Sequence, residues 1–189
     1  MREMNARRWE RTLAVREVER QAVKTASASW VGALSDRELE LIAVTAYWCE
    51  GAKDKAYARR EKVRFINSDP GIVLLFLEFL RRRGFNWPDL YMALSIHESA
   101  DIPAAERWWA ETVGADVSDF AKPTIKRHRP RTNRKNTGQE YVGCFYVAVR
   151  GSRTLYQQIE GIWRGIATGF ESGAGGPLVR QTGDVRRHV

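Results

Sequence analysis

Glu50 is the residue whose type and position most invite chemistry. It is the one carboxylate in the stretch LIAVTAYWCEGAK, Leu41 to Lys53, which runs apolar until the acid and then meets Gly51. Burying a carboxylate is costly unless a cation, a hydrogen-bond donor or water meets it, so Glu50 is either at a surface or holding something positive. Carboxylates are the ligands that hard divalent cations prefer, and such a cation binds phosphate oxygens and acidifies its bound water. The competing account is an ordinary solvated residue, although the helix dipole opposes a negative charge at a helix C-terminus.

Two runs of cations form the second group with chemical potential. Lys122, Lys126, Arg127, Arg129, Arg131, Arg134 and Lys135, with His128 among them, put seven basic residues and no acid between 122 and 135. A charge run is usually a solvated loop, but like charges at this density repel one another unless phosphates neutralise them. Lys53, Lys55, Arg59, Arg60, Lys62 and Arg64 follow Glu50 directly. The whole chain carries a net charge of +8 with a pI near 9.8, a balance that favours a polyanionic partner. His97 next to Glu98 is expected to be a surface pair, and at least one of Trp108 and Trp109 is expected in the core.

Stepping outward, 189 residues with 43% hydrophobic content suffice for one core with an appended arm. From Arg2 to Lys24 seven basic and four acidic residues mix with few large apolar ones, which reads as a solvated helix. Thr25 to Ser35, rich in Ala, Ser and Gly, is expected to be a flexible boundary. Ser35 and Glu38 make a capping box for the helix that carries Glu50. KVRFIN, Lys62 to Asn67, alternates as a half-buried strand. Asp69 and Pro70 open a helix that closes at Gly84, and Asp89 to His97 alternates as a strand with Met92, Leu94 and Ile96 in the core. Asp101 and Pro103 start a third helix ending at Gly114, the segment from Lys122 is a basic strand and loop, and Tyr141 to Val149 is a strand. Ser152 caps a last helix, in which Gly161 and Gly165 mark either close helix approach or fraying. The expected organisation is a basic arm at 1–34, a domain at 35–168 and a flexible tail at 169–189. The fold class is α+β, a mainly antiparallel sheet covered by helices on one face.

The stretch Ala43 to Gly51, with a strand and then an FINSDP-type helix start beyond it, resembles the LAGLIDADG motif of the homing endonuclease family, most of all its single-motif bacterial relatives. The likeness covers roughly Ser35 to Gly165. It departs from the motif in the bulk of Tyr47 and Trp48 and in Glu50 standing where Asp is commoner. In that family two motif helices pack side by side and their terminal acids meet at the scissile phosphates around divalent metal. The resemblance implies a homodimer contacting through Thr45 and Cys49, a cation-lined sheet over double-stranded DNA, Mg²⁺ or Mn²⁺ held by Glu50, and Lys126 stabilising charge at the phosphate.

Three accounts follow from the sequence: a metal-dependent DNA endonuclease, a DNA-binding regulator on the same scaffold that does not cut, and an RNA-binding or intron-splicing factor. Two distant cysteines, Cys49 and Cys144, indicate neither a disulfide framework nor a zinc knuckle, and no apolar run is long enough to span a bilayer. A cytoplasmic protein without a membrane partner is expected.

Overall fold

The computed structural model describes residues 2–55, 57–127 and 141–172. Its elements are α1 Arg2–Val31, α2 Asp36–Glu50, β1 Arg64–Asn67, α3 Pro70–Arg82, β2 Leu90–His97, α4 Ile102–Val113, β3 Phe120–Lys126, β4 Cys144–Val149 and α5 Arg153–Ser172. Short 3-10 turns at Trp87–Asp89 and Val117–Asp119 lead into β2 and β3. The chain divides into two compact units, Met1–Glu38 and Leu39–Val189.

The first unit is dominated by α1, whose Trp9, Val18 and Trp30 side chains are exposed. The flexible boundary expected from Thr25 is instead helical as far as Val31. Ala is the strongest helix former, and Ala26 and Ala28 extend the helix until Gly32 adopts a φ of +62° and ends it. The capping box forms as expected: the Glu38 amide donates to Ser35 Oγ at 3.3 Å and the Ser35 amide donates to the Glu38 carboxylate at 2.8 Å. These bonds to Ser35 hold the Glu38 carboxyl below its ordinary pKa.

The second unit is built on a four-stranded sheet in the order β1-β4-β2-β3. β4 runs antiparallel to both β1 and β2, whereas β2 and β3 are parallel. The sheet is mixed, antiparallel at two of its three pairings and so in keeping with the mainly antiparallel sheet expected; the parallel pairing arises because α4 crosses between β2 and β3 and returns the chain in the same direction. Asp69 and Asp101 cap α3 and α4 by accepting from the Ile72 and Ala104 amides, with Pro in the first turn of each.

One core joins the four helices of this unit to one face of the sheet. Tyr47 from α2, Phe76 from α3, Trp109 from α4 and Ile159 from α5 are all fully buried with Phe65 and Phe145 from the strands. Phe65 stacks on Phe76 at 4.5 Å between ring centroids, and Trp109 lies 5.3 Å from Phe145 while its indole N–H donates to the Val142 carbonyl at 2.9 Å. Trp108 stays on the rim, 39% exposed. Gly161 and Gly165 have nothing near their missing side chains, so they do not mark a close helix approach. α5 runs to Ser172, past the boundary expected at 168, and residues 173–189 lie outside the described residues.

The strand register fixes the other face. Arg64, Ala148 and Tyr91 share one row, Ile66, Tyr146, Ala93 and Ala121 the next, and His97 pairs with Lys126 at the far end. His97 is not the surface residue the sequence suggests: it is buried, and its Nδ1 lies 2.9 Å from Ser99 Oγ.

Ser152 directly precedes α5, as expected, and its carbonyl accepts from the Tyr156 amide at 2.9 Å; its hydroxyl accepts from the Val63 amide at 2.9 Å, tying the start of that helix to the segment that enters β1. Removing this buried acceptor leaves an orphaned amide, so Ser152→Ala should lower stability by about 1–3 kcal/mol. Urea unfolding followed by tryptophan fluorescence measures it, and an unchanged midpoint contradicts the assignment.

Candidate functional site

The end of α2 is positioned by Tyr47, one turn before Glu50 closes the helix. The Tyr47 ring stacks on Phe76 at 5.7 Å and meets Tyr156 edge-on at 6.5 Å, while its hydroxyl donates to the Ala52 carbonyl at 2.7 Å. Gly51 lies directly against that ring: a Cβ there would come within 2.6 Å of both the ring and the Tyr47 carbonyl. Glycine is therefore required by close approach. The Ala52 amide then donates to the Arg64 carbonyl at 2.9 Å, which lays the exit of the helix along edge strand β1. Glu50 thus sits at the sheet edge with its side chain exposed.

The loop that follows is organised by Asp54, a residue the sequence reading did not single out. Its carboxylate accepts from the amides of Arg60 at 2.6 Å and Glu61 at 3.2 Å, and its own amide donates to the Tyr156 hydroxyl at 2.7 Å. Glu61 has a φ of +45°, a strained value for a residue with a side chain. Its carboxylate is held by Arg153 at 3.1 Å and Gln157 at 3.1 Å. An acid followed six residues later by two basic or polar residues has no distinctive sequence signature, which is why the turn is invisible before the fold is known.

Within this frame the first basic group divides. Lys53 donates weakly to the Cys49 and Gly51 carbonyls at 3.4 Å each, neutralising the helix end. Lys55 lies over the Tyr57 ring at 5.6 Å, and Arg59, Arg60 and Lys62 are exposed. Arg64 is half-buried on the open sheet face, beside the Tyr146 hydroxyl; burial raises the pKa of that hydroxyl and Arg64 opposes the rise. Of the second group, Lys122, Lys126 and Arg127 are exposed on β3 and just after it. Arg129, Arg131, Arg134 and Lys135 lie outside the described residues.

Lys126 is not brought to Glu50 within one chain. β1 and β3 are opposite edges of the sheet, three strand spacings or roughly 14 Å apart, and Lys126 lies at the far end of its row. Glu50 and Lys126, expected to act at one phosphate, therefore stand at opposite edges of the sheet within a single copy. What the topology does produce is a sheet with one basic group at each edge.

Thr45 and Cys49 are both exposed on α2, with Ile42 41% exposed one turn before them. Thr45 Oγ1 donates back to the Leu41 carbonyl at 2.7 Å, leaving its methyl group outward. Trp48, by contrast, is engaged within the fold, stacked on Trp163 of α5 at 5.3 Å. Among the described residues, no three His, Cys, Asp or Glu side chains gather as a metal site. Glu50 is the one carboxylate that the end of α2 offers, and Mg²⁺ or Mn²⁺ bound through one or two carboxylates completes its shell with water and phosphate oxygens, so one copy would supply half of a two-carboxylate site. On the helix side of the sheet, a cleft of about 470 Å³ between α3 and the start of β2 is lined by Leu74, Leu77, Phe85 and Val113 with Glu78 and Arg81. Those two charged residues already pair with each other.

Comparison with known proteins finds no matching family model, no matching curated protein and no matching solved structure. No helix among the described residues is long and apolar enough to cross a membrane.

Two outcomes test this geometry. Burial pushes the Tyr47 hydroxyl up to about 12 from its ordinary value of 10.0. The folded chain then keeps a proton that the unfolded chain releases, so stability should fall as pH rises from about 10 towards about 12. Melting temperatures across that range should show the fall, and Tyr47→Phe should make it shallower. Asp54→Ala should cost about 1–3 kcal/mol and speed hydrogen exchange at the Arg60 and Glu61 amides. Unchanged exchange at both amides would remove Asp54 from its role as organiser of the loop.

Proposed function

We propose that this chain is a DNA-binding protein of the LAGLIDADG endonuclease type, working as a homodimer on a duplex. The observation that carries the proposal is the outer face of α2. Leu39, Ala43, Val44 and Tyr47 bury one side of the helix, while Ile42, Thr45 and Cys49 recur at spacings of three and four on the other and lead to an exposed Glu50. Small side chains on such a stripe let two helices approach closely, and a twofold axis there sets two Glu50 carboxylates near each other. The second carboxylate that a divalent cation needs then comes from the partner copy. Bound in that way, Mg²⁺ or Mn²⁺ would supply Lewis-acid activation of a phosphodiester.

The chain's own residues supply the binding. Lys62, Arg64 and the loop cations flank β1, and Lys122, Lys126 and Arg127 flank β3, so phosphates on both sides of a groove find cations at the two sheet edges. Side chains on the face between them reach base edges. A second reading, a regulator that binds without cutting, is favoured by the solitary carboxylate each copy contributes.

Nicking of supercoiled plasmid with Mg²⁺ or Mn²⁺ separates the two. The endonuclease reading expects metal-dependent nicking by the wild type that Glu50→Gln abolishes while duplex binding persists. Salt-sensitive duplex binding without nicking supports the regulator instead, and nicking undiminished in Glu50→Gln removes Glu50 from the chemistry.

A further inference from the structure

The open face of the sheet carries a feature that neither the α2 stripe nor Glu50 explains. Tyr91 on β2 and Tyr146 on β4 are diagonal neighbours whose rings meet edge-to-face, with centroids 6.1 Å apart and planes at 80°. Tyr91 is 42% exposed and Ile66, in the row of Tyr146, is 36% exposed. Ala93 and Ala148 lie beside the two rings, whereas Ile66 pairs with Tyr146 on its other side and Arg64 lies next to the Tyr146 hydroxyl, so Tyr91 is the more open ring of the two. A tyrosine ring left half in water, on a strand whose alternate residues fill the core, contributes little to that core. Two guanidinium groups lie at this end of the sheet. Arg64 shares the row of Tyr91, and its Nε is buried without a hydrogen-bond partner. Arg150 follows β4 directly and is exposed. The nearby acids are engaged, Asp89 with the Asn86 amide and Glu61 with Arg153 and Gln157.

An exposed aromatic ring flanked by small residues offers a flat surface to another ring, and an adjacent guanidinium attracts a phosphate. In a duplex the faces of the bases are hidden by their neighbours in the stack. In a single strand they are open. We propose that Tyr91 and Tyr146, with Arg64 at the same end of the sheet, form a stacking platform for an unpaired base of a single-stranded nucleic acid. The platform needs neither the second copy nor a metal, but it shares Arg64 and the sheet face with the duplex surface proposed above, so single strand and duplex are measured side by side. The alternative use of such a pair, cross-strand stabilisation of the sheet, affects folding without affecting binding.

The test is fluorescence anisotropy of a labelled single-stranded oligonucleotide, in DNA and RNA versions, against the full-length chain, with a duplex of the same length in parallel. The wild type should bind the single strand. Tyr91→Ala should weaken that binding roughly tenfold or more and duplex binding by a clearly smaller factor, while Tyr91→Phe retains both. Arg64→Gln should lower the salt dependence of single-strand binding, which Tyr91→Ala leaves in place. Thermal melting confirms that the Tyr91 variants fold. Failure of the wild type to bind the single strand would overturn the proposal. So would equal single-strand affinity of Tyr91→Ala and wild type, or an equal loss on single strand and duplex.

Discussion

The Tyr47 ring has no exposure to solvent and is held at both ends, by Phe76 and Tyr156 around the ring and by the Ala52 carbonyl at the hydroxyl. Those contacts join three helices to the turn that leaves α2. Because Gly51 lies against the same ring, the chain has little freedom in how it exits the helix, and Ala52 is delivered onto the edge of β1. Glu50 is consequently fixed next to the sheet although its own side chain is exposed and belongs to no core. The bulk of Tyr47 is what anchors the acid.

The sheet turns this anchor into an asymmetric frame. β1 receives the end of α2 and the first basic group, β3 carries the second, and the strands between them present Tyr91 and Tyr146 on the face away from the helices. The strand order β1-β4-β2-β3 places Lys126 at the opposite edge from Glu50. Charge is therefore spread across the width of the sheet instead of being gathered at the acid. Such a distribution suits contact with a polyanion over an extended surface better than chemistry completed by one copy.

Local signals carried most of the fold. Asp69 with Pro70, Asp101 with Pro103, and Ser35 with Glu38 announce helix starts because each satisfies orphan amides within three residues. The alternation of Met92, Leu94 and Ile96 sets one face of β2 without tertiary information. What the sequence concealed was long-range. Ser152 reads as a helix start, but nothing local announces that its hydroxyl accepts from the Val63 amide, 89 residues earlier. Asp54 looks like one acid in a basic loop until the Tyr156 hydroxyl is seen to meet its amide from 102 residues away. The parallel edge depends on how α4 returns the chain, which periodicity does not encode. Of the site, Glu50, its place at a helix end and the flanking cations were legible, whereas the separation of Lys126 and the pairing of two tyrosines required the register.

The account depends most on the outer face of α2 being a contact between two copies. Sedimentation velocity on the wild type and on Thr45→Arg, a change at an exposed position that the core does not feel, tests this most directly. The wild type should sediment with twice the 21.6 kDa mass of one chain, and Thr45→Arg should sediment as a single folded chain. A wild type that stays at the mass of one chain at tens of micromolar, or a Thr45→Arg variant that still pairs, would contradict the account.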